Sequence, residues 1–268
     1  YQEKYNFVNL DITTNVDITN QDQVNQALSA HQPTTVIHFA AFTDVSKAYE
    51  QKGDQAGLVY QVNVVGTKNI ATACHQFGHR LIHIDFVFDG QKTQAYTELD
   101  APSPIEWYGQ TKYMAEQEVL ASGCHSVIAR LAFPFRANFT SKLDLVRNIL
   151  EKLKTNSLYP MFSDQIITPT FTDDLCLALD IFISKKPTGI YHLVGSTSIS
   201  PYKLAQKISQ IFAIKADIKP GSFKEYLKKD PRPRQQYMTI SNQKLTKDFN
   251  LKMQTLDQAL ETLKSQLN

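Results

Sequence analysis

Thr34-Thr35-Val36-Ile37-His38-Phe39-Ala40-Ala41-Phe42-Thr43 is the stretch on which the fold turns. Its first six residues form a short, apolar and β-branched run of the kind that makes a buried strand, and a loop through Ala40 to Ala48 follows. Downstream, Gln55 to Phe77 carries Leu58, Val62, Val65, Asn69 and Ala73 near helical spacing, and Gly78 stands where a helix C-terminus favours glycine. Arg80-Leu81-Ile82-His83-Ile84 reads as the next strand, leaving through Phe86-Val87-Phe88-Asp89-Gly90 into a turn. Pro102 and Pro104 break the loop that follows, Trp107 to Ala121 reads as a helix closed by Gly123, and His125 to Leu131 reads as a third strand. Strand, helix, strand, helix, strand at this spacing predicts an α/β fold with a doubly wound parallel sheet. Such sheets bind ligands just beyond the C-terminal ends of their strands, which is where Ala40 to Thr43 falls.

After about Phe133 the pattern changes. Helices are predicted near Lys142 to Lys154 and Thr172 to Ser184, the second capped by Thr172 or Asp173. Gly189 to Val194 is a strand, and Ser200 to Phe212 and Thr255 to Gln266 are helices. Between the last two runs a basic, proline-broken stretch, Lys228-Lys229-Asp230-Pro231-Arg232-Pro233-Arg234. The near duplication of Leu10-Asp11-Ile12-Thr13 and Val16-Asp17-Ile18-Thr19 is too short to be a structural repeat.

The 268 residues are 42% hydrophobic, with 28 basic and 26 acidic side chains and a formal charge of +2. That balance argues against a nucleic-acid footprint and against an acidic solvating tail. No apolar run approaches the roughly 18 residues of a membrane helix, and the start, Tyr1-Gln2-Glu3-Lys4-Tyr5-Asn6, has no signal-peptide core. The expectation is a cytoplasmic protein with no nucleic-acid or membrane partner. Cys74, Cys124 and Cys176 have no metal-ligand spacing and read as small apolar core residues of a reducing compartment. The scattered histidines give no metal signature, and His38 and His83 fall on predicted buried strands as hydrogen-bonded core residues. The ten glycines include neither G-x-G-x-x-G nor a Walker A loop.

Tyr108 and Lys112, in Tyr108-Gly109-Gln110-Thr111-Lys112, lie four apart on a predicted helix and so share a face. A free phenol, with a pKa of about 10, is a poor acid–base catalyst at neutral pH until a neighbouring cation lowers it. Tyr-x-x-x-Lys alone is weak evidence, because an exposed helix shows it by chance. Its company is more specific: His38-Phe39-Ala40-Ala41-Phe42-Thr43 after one strand, Val62-Asn63-Val64-Val65-Gly66-Thr67-Lys68-Asn69 within a helix, and Val87-Phe88-Asp89-Gly90 after the next strand.

These elements, in this order, resemble an extended short-chain dehydrogenase/reductase, and more closely its dTDP-4-dehydrorhamnose reductase branch. That branch carries H-x-A-A-x-T, V-N-x-x-G-T, V-F-D-G and Y-G-x-(S/T)-K. Asn138-Phe139, Thr168-Pro169-Thr170 with Asp173-Asp174, Gly189-Ile190-Tyr191-His192-Leu193 and Arg232-Pro233 extend the match from about Val16 to the C-terminus. The regulatory β subunit of methionine adenosyltransferase looks similar throughout. The resemblance implies a Rossmann-like domain over residues 1–134, to which 164–195 return, and a smaller substrate-binding domain from 135–163 and 196–268. It also implies NADP or NAD as cofactor, a nucleotide sugar as substrate, and leaves room for a homodimer.

By the same resemblance Tyr108 is the proton donor to a substrate ketone, and Lys112 binds the nicotinamide ribose and depresses the Tyr108 pKa. Ala40, Ala41 and Thr43 line the cofactor channel, and Asp17 and Ile18 lie beside the adenine, although a turn or helix cap explains Asp17 as well. Val45, Asp85 and Phe133 match positions near the hexose. Asn138 matches a phosphate or sugar contact, with an Asx turn as the plainer alternative. Arg232 and Arg234 match partners for the diphosphate, since a guanidinium binds phosphate bidentately, with a solvated basic loop as the alternative.

Two departures stand out. The family run I-S-T-D-(Y/F)-V-F-D-G is here Ile84-Asp85-Phe86-Val87-Phe88-Asp89-Gly90, two residues short and without the hydroxyl that bonds the reacting carbonyl. Either the third catalytic member is gone or two residues are missing from the run; Thr43 and Thr111 carry hydroxyls, but nothing in the sequence supports either as a substitute. The glycine-rich phosphate loop is also absent, and the expectation is that its strand–turn–helix unit lies before Tyr1, since a βαβ unit needs about 30 residues or more. The implied function is NAD(P)H-dependent reduction of a 4-keto sugar nucleotide. The alternatives are a weak or inactive sugar-nucleotide- or NADP-binding regulatory subunit, or a sugar-nucleotide epimerase or dehydratase.

Overall fold

The computed structural model describes residues 3–86, 88–138 and 142–267. The chain opens through α1 (Gln21–His31), β1 (Thr35–His38), α2 (Val45–Glu50) and α3 (Leu58–Tyr60). A π-helical turn over Gln61–Gly66 leads directly into α4 (Thr67–Phe77), then β2 (Arg80–Asp85), α5 (Trp107–Ala121) and β3 (Ser126–Arg130). The remainder comprises β4 (Pro134–Phe135), α6 (Leu145–Lys154), β5 (Met161–Phe162), β6 (Thr170–Phe171), α7 (Thr172–Lys185) and β7 (Gly189–His192). It ends with α8 (Pro201–Ile211), β8 (Pro220–Gly221), α9 (Phe223–Leu227), α10 (Gln243–Phe249) and α11 (Leu256–Leu267).

The main sheet has the order β1-β2-β3-β7. β1 and β2 run parallel, with Thr35 opposite Arg80 and His38 opposite His83. The α/β alternation is therefore the architecture of the chain. Residues Tyr1–Val87, Glu106–Ala129 and Pro187–Gly189 form one compact unit, and Phe88–Ile105, Arg130–Lys186 and Ile190–Asn268 form a second. The expected boundary near residue 134, with a return over 164–195, runs differently from this packing, since 88–105 and 130–186 cluster with the second unit.

Local punctuation explains the elements that frame the site. α5 starts at Trp107 because the Glu106 carboxylate accepts the Gly109 N–H at 2.8 Å, satisfying one of the free donors of a helix start. α4 stops at Gly78, which takes a left-handed φ of +70° that glycine adopts without strain. α2 lies inside the stretch read as a loop, and Asp44 starts it by accepting the N–H groups of Ser46 and Lys47, both at 3.1 Å. α7 begins at Thr172 with Phe171 as the capping position and no side-chain cap bond, so neither Thr172 nor Asp173 is the cap expected from the sequence.

The second unit packs around α6, α8 and α11. Val146, Ile149, Leu150 and Leu153 recur at helical spacing and are buried with Leu204, Ile208, Leu260 and Leu263. Of the cysteines only Cys74 is a core residue; Cys124 is half-buried and Cys176 is exposed on α7, so the core expectation fails for those two. Leu177 beside Cys176 is exposed too, so this face of α7 is not a core face. No described helix is long and apolar enough to cross a membrane.

Candidate active site

α5 carries its unusual residues on the buried side. Trp107, Thr111, Lys112, Ala115, Glu116 and Val119 are all buried, so the stripe that should be apolar holds an ammonium and a carboxylate. Long charged side chains are rarely buried without partners. The Lys112 ammonium donates to the Ile84 carbonyl at 2.8 Å and lies 3.7 Å from Oδ1 of Asp85, the last residue of β2. Asp85 is fully buried, and neither of its carboxylate oxygens has a hydrogen-bond partner. Burial pushes the Asp85 carboxyl well above the usual carboxylate range against the pull of Lys112, and burial pushes the Lys112 ammonium down against the pull of Asp85.

Tyr108 is half-buried and packs against Ala48, Val59 and Trp107, beside Phe42 and Tyr60. Burial pushes its phenol above the ordinary tyrosine value, and the negative charges of Asp85 and Glu106 add to the rise. The expectation that Lys112 depresses this pKa is therefore not met. The reason is geometric: the ammonium is turned to Ile84 and Asp85, whose carboxylate brings a compensating negative charge. A raised phenol remains protonated at neutral pH, which suits a proton donor better than a proton acceptor.

The Val-Asn-Val-Val-Gly-Thr stretch forms the π turn and holds two segments in place. Asn63, fully buried, accepts the Phe42 N–H at 2.7 Å and donates to the Thr111 hydroxyl at 2.9 Å. The same hydroxyl donates to the Tyr108 carbonyl at 2.8 Å. Thr111 is thus fully committed inside the helix packing and does not replace the missing hydroxyl of the β2 run. Thr43 is exposed in the loop after β1. Gly66 faces Ile18, and a Cβ at this position would lie 2.6 Å from the Ile18 Cδ1. Asn69 donates to the Ile18 carbonyl at 2.9 Å, so the helix grips the Asp17-Ile18 segment at two points. The Asp17 carboxylate accepts the Thr19 N–H at 2.9 Å and its hydroxyl at 2.8 Å, which is the turn that the sequence allowed as an alternative.

Ala40 is exposed, Ala41 half-buried and Val45 exposed on this unit. His38 and His83 lie with ring centroids 5.4 Å apart. His38 bonds the Thr67 hydroxyl at 2.9 Å, and burial, then Lys112, pushes its pKa down to about 3. His83 is fully buried with no hydrogen-bond partner on either ring nitrogen, unlike the bonded core histidine expected, and burial holds it neutral. Among the described residues no group of three His, Cys, Asp or Glu side chains is placed to hold a metal ion.

On the second unit, Phe133 is half-buried with a left-handed φ of +43°, a strained conformation for a bulky residue. Asn138 is exposed; its neighbour Phe139, like Val87 of the Val-Phe-Asp-Gly run, lies outside the described residues. Arg232 and Arg234 converge on one carboxylate: Asp230 accepts from Arg232 Nε and Nη2 and from Arg234 Nε, each at 2.9 Å. The Tyr226 hydroxyl donates to the same carboxylate at 2.7 Å. These guanidinium hydrogen bonds hold the Asp230 carboxyl far below its ordinary range. Sequence reasoning named both arginines but missed Asp230, although its place two and four residues before them was the available signal.

A parallel-paired α/β sheet with a tyrosine and a buried lysine one helical turn apart, beside the end of β2, defines the extended short-chain dehydrogenase/reductase class. Within that class the chain belongs to the RmlD substrate-binding domain family, whose model matches residues 2–268. It is 31% identical over 220 residues to the spore coat polysaccharide biosynthesis protein SpsK of Bacillus subtilis, covering 81% of this chain and 75% of that protein. It is 30% identical over 211 residues to the dTDP-4-dehydrorhamnose reductase of Aggregatibacter actinomycetemcomitans, covering 75% of this chain and 69% of the relative. The crystal structure of the dTDP-4-dehydrorhamnose reductase of Bacillus anthracis in complex with NADP superposes with a TM-score of 0.90 at 28% identity. That match covers 99% of this chain and 92% of the other.

Proposed function

We propose that this chain is a cytoplasmic NAD(P)H-dependent oxidoreductase that reduces the 4-keto group of a dTDP-linked sugar nucleotide. The observation that carries the proposal is the Tyr108–Lys112 pair on one helix, with Tyr108 half-buried and the buried Lys112 bonded to Ile84 at the end of β2. The relatives named as dTDP-4-dehydrorhamnose reductases support the substrate class, and the NADP complex of the B. anthracis enzyme supports the cofactor. The residues present fit a nicotinamide nucleotide. Lys112 carries three N–H donors and gives one to Ile84, the exposed loop after β1 presents only a methyl at Ala40, and Trp107 Nε1 is a buried donor with no partner. Bound in reduced form, the cofactor supplies hydride.

The chain's own part is to hold a proton and orient the reactants. Tyr108 keeps its proton at neutral pH and releases it from Oη to the oxygen of the reduced carbonyl. Lys112 orients the ribose, while Ala40, Ala41 and Thr43, with Asp17 and Ile18 nearer the adenosine, line the cofactor channel. Val45, Phe133, Asn138, Arg232 and Arg234 are assigned to the substrate by resemblance. Asp85, matched to the hexose by resemblance, is buried against Lys112. In functional terms residues 1–134 with 164–195 serve the dinucleotide, and 135–163 with 196–268 serve the sugar; a homodimer is part of the same proposal.

The test supplies a dTDP-4-keto-6-deoxyhexose with NADPH or NADH and follows nicotinamide absorbance and the sugar product by NMR. The proposal expects one cofactor oxidised per new C4 hydroxyl. Turnover without net cofactor use would instead mark an epimerase or dehydratase. A regulatory, non-catalytic role is favoured by one observation: the Thr111 hydroxyl is locked in the helix packing and Asp85 follows Ile84 where a hydroxyl was expected. Co-purification with a partner enzyme, with no turnover of any keto sugar, would support that role.

A further inference from the structure

Asp85 is the one acidic side chain that β2 delivers to α5, and its placement is unusual. Both carboxylate oxygens are buried without a hydrogen-bond partner, and the Lys112 ammonium stands 3.7 Å away. A buried carboxylate without donors is costly, and such a group persists in a fold when a nearby charge compensates it. Titratable groups stand on each of the three elements packed here, β1, β2 and α5. His83 lies on β2 with both ring nitrogens unpartnered, and His38 on β1 stacks 5.4 Å from His83. Lys112 and Glu116 lie on the buried face of α5, with Tyr108 one turn before Lys112 and Glu106 at the helix start. Both histidines are held neutral by burial, so the cation facing Asp85 is Lys112.

We propose that Asp85 is a positioning residue for the Tyr108–Lys112 pair, holding the Lys112 ammonium at the end of β2 and setting the charge that Tyr108 experiences. The backbone carbonyl of Ile84 takes one Lys112 N–H, and the Asp85 carboxylate beside it fixes the direction of the ammonium. The same carboxylate is the first charged group, after burial itself, that keeps Tyr108 in its protonated form. In the alkaline range where a phenol titrates, Asp85 is ionised, so its charge acts fully on Tyr108. The consequence is direction: the site is built to give a proton and is slow to take one. This rests on the reductase reading only for that last step; the electrostatic coupling itself requires no substrate.

The test is the pH titration of Tyr108 by 13C NMR of tyrosine Cζ in the full chain, with the Tyr108 signal assigned from Tyr108→Phe. In the wild type the midpoint should lie above the ordinary tyrosine value. In Asp85→Asn it should fall by about one pH unit, the order of effect that a nearby charge exerts, and Asp85→Glu should restore part of the shift. If turnover is present, the alkaline limb of kcat/KM moves to lower pH by the same amount in Asp85→Asn, because the donor loses its proton earlier. An unchanged Tyr108 midpoint in folded Asp85→Asn overturns the inference. Should that variant not fold, a wild-type Tyr108 midpoint at or below the ordinary value overturns it equally. Absence of turnover with the expected titration shifts would reject the reductase reading and leave the Asp85 role standing.

Discussion

The end of β2 in the first unit and the Asp89, Thr168 and Thr170 motif positions of the second treat their polar groups in opposite ways. In the first, at the end of β2, Asp85 and His83 are buried with no hydrogen-bond partner, and Lys112 compensates the carboxylate only across 3.7 Å. In the second, Asp89, Thr168 and Thr170 are bonded repeatedly. Asp89 of the Val-Phe-Asp-Gly run accepts from the Tyr96 hydroxyl, the Gln91 N–H and the Ser103 hydroxyl. Thr168 donates to the Met238 carbonyl and accepts the Ile240 N–H, and Thr170 donates to the Ala132 carbonyl. Satisfied groups specify a backbone path, whereas unsatisfied buried groups cost stability and accumulate where chemistry or binding recoups that cost. Motif residues that look alike in sequence therefore divide into scaffold and site.

Variants that remove one charge or one bond test this division. The largest expected effect on stability is Lys112→Met, which leaves Asp85 buried without its cation. Urea unfolding should show a loss of about 3–5 kcal/mol, and the double variant Lys112→Met/Asp85→Leu should regain most of it. A double variant no more stable than the single one would mean the pair is not coupled. Gly90→Ala comes next. Gly90 has φ of +72°, and an added Cβ would lie 2.3 Å from Gln235 Cβ, so about 1–3 kcal/mol should be lost from the second unit. Asp89→Ala should cost a similar or smaller amount, about 1–3 kcal/mol, by orphaning the Tyr96 hydroxyl and its neighbours. Hydrogen exchange should place both losses in the second unit; a loss in the first would break the comparison.

The smallest effect, taken per pH unit, is a pH dependence. Burial, then Arg130, pushes His192 down to about 3, while an unfolded histidine titrates near 6.5. Between those values the unfolded chain binds a proton that the folded chain refuses, so stability falls as pH falls, by about 1.4 kcal/mol per pH unit for this residue. His192→Gln should flatten the stability–pH slope by that amount between pH 6 and 4, and an unchanged slope would show that His192 titrates normally.

Much of this was legible in the sequence where the signal was local. α5 spans Trp107–Ala121 as predicted, because prolines before it, Glu106 at its start and Gly123 after it are punctuation that needs no tertiary partner. The pair Tyr108 and Lys112, and the order of motifs around it, needed only helical spacing. The six-residue helix α2 escaped, although Asp44 was a readable cap, because too few apolar positions follow to show a period. The π turn over Gln61–Gly66 has no propensity signature of its own; it arises where Asn63 and Gly66 meet Thr111 and Ile18, residues distant in sequence. The rise of the Tyr108 pKa was likewise hidden, since it comes first from tertiary burial of the phenol and then from Asp85, which β2 delivers to α5, and Glu106.

The measurement closest to the central claim is steady-state reduction of a dTDP-4-keto-6-deoxyhexose by Tyr108→Phe, with NADPH affinity determined on the same preparation. Loss of the single phenol proton at an intact site should lower kcat by roughly 10²–10⁴-fold, with cofactor affinity unchanged. A Tyr108→Phe protein that turns over at the wild-type rate would contradict the account.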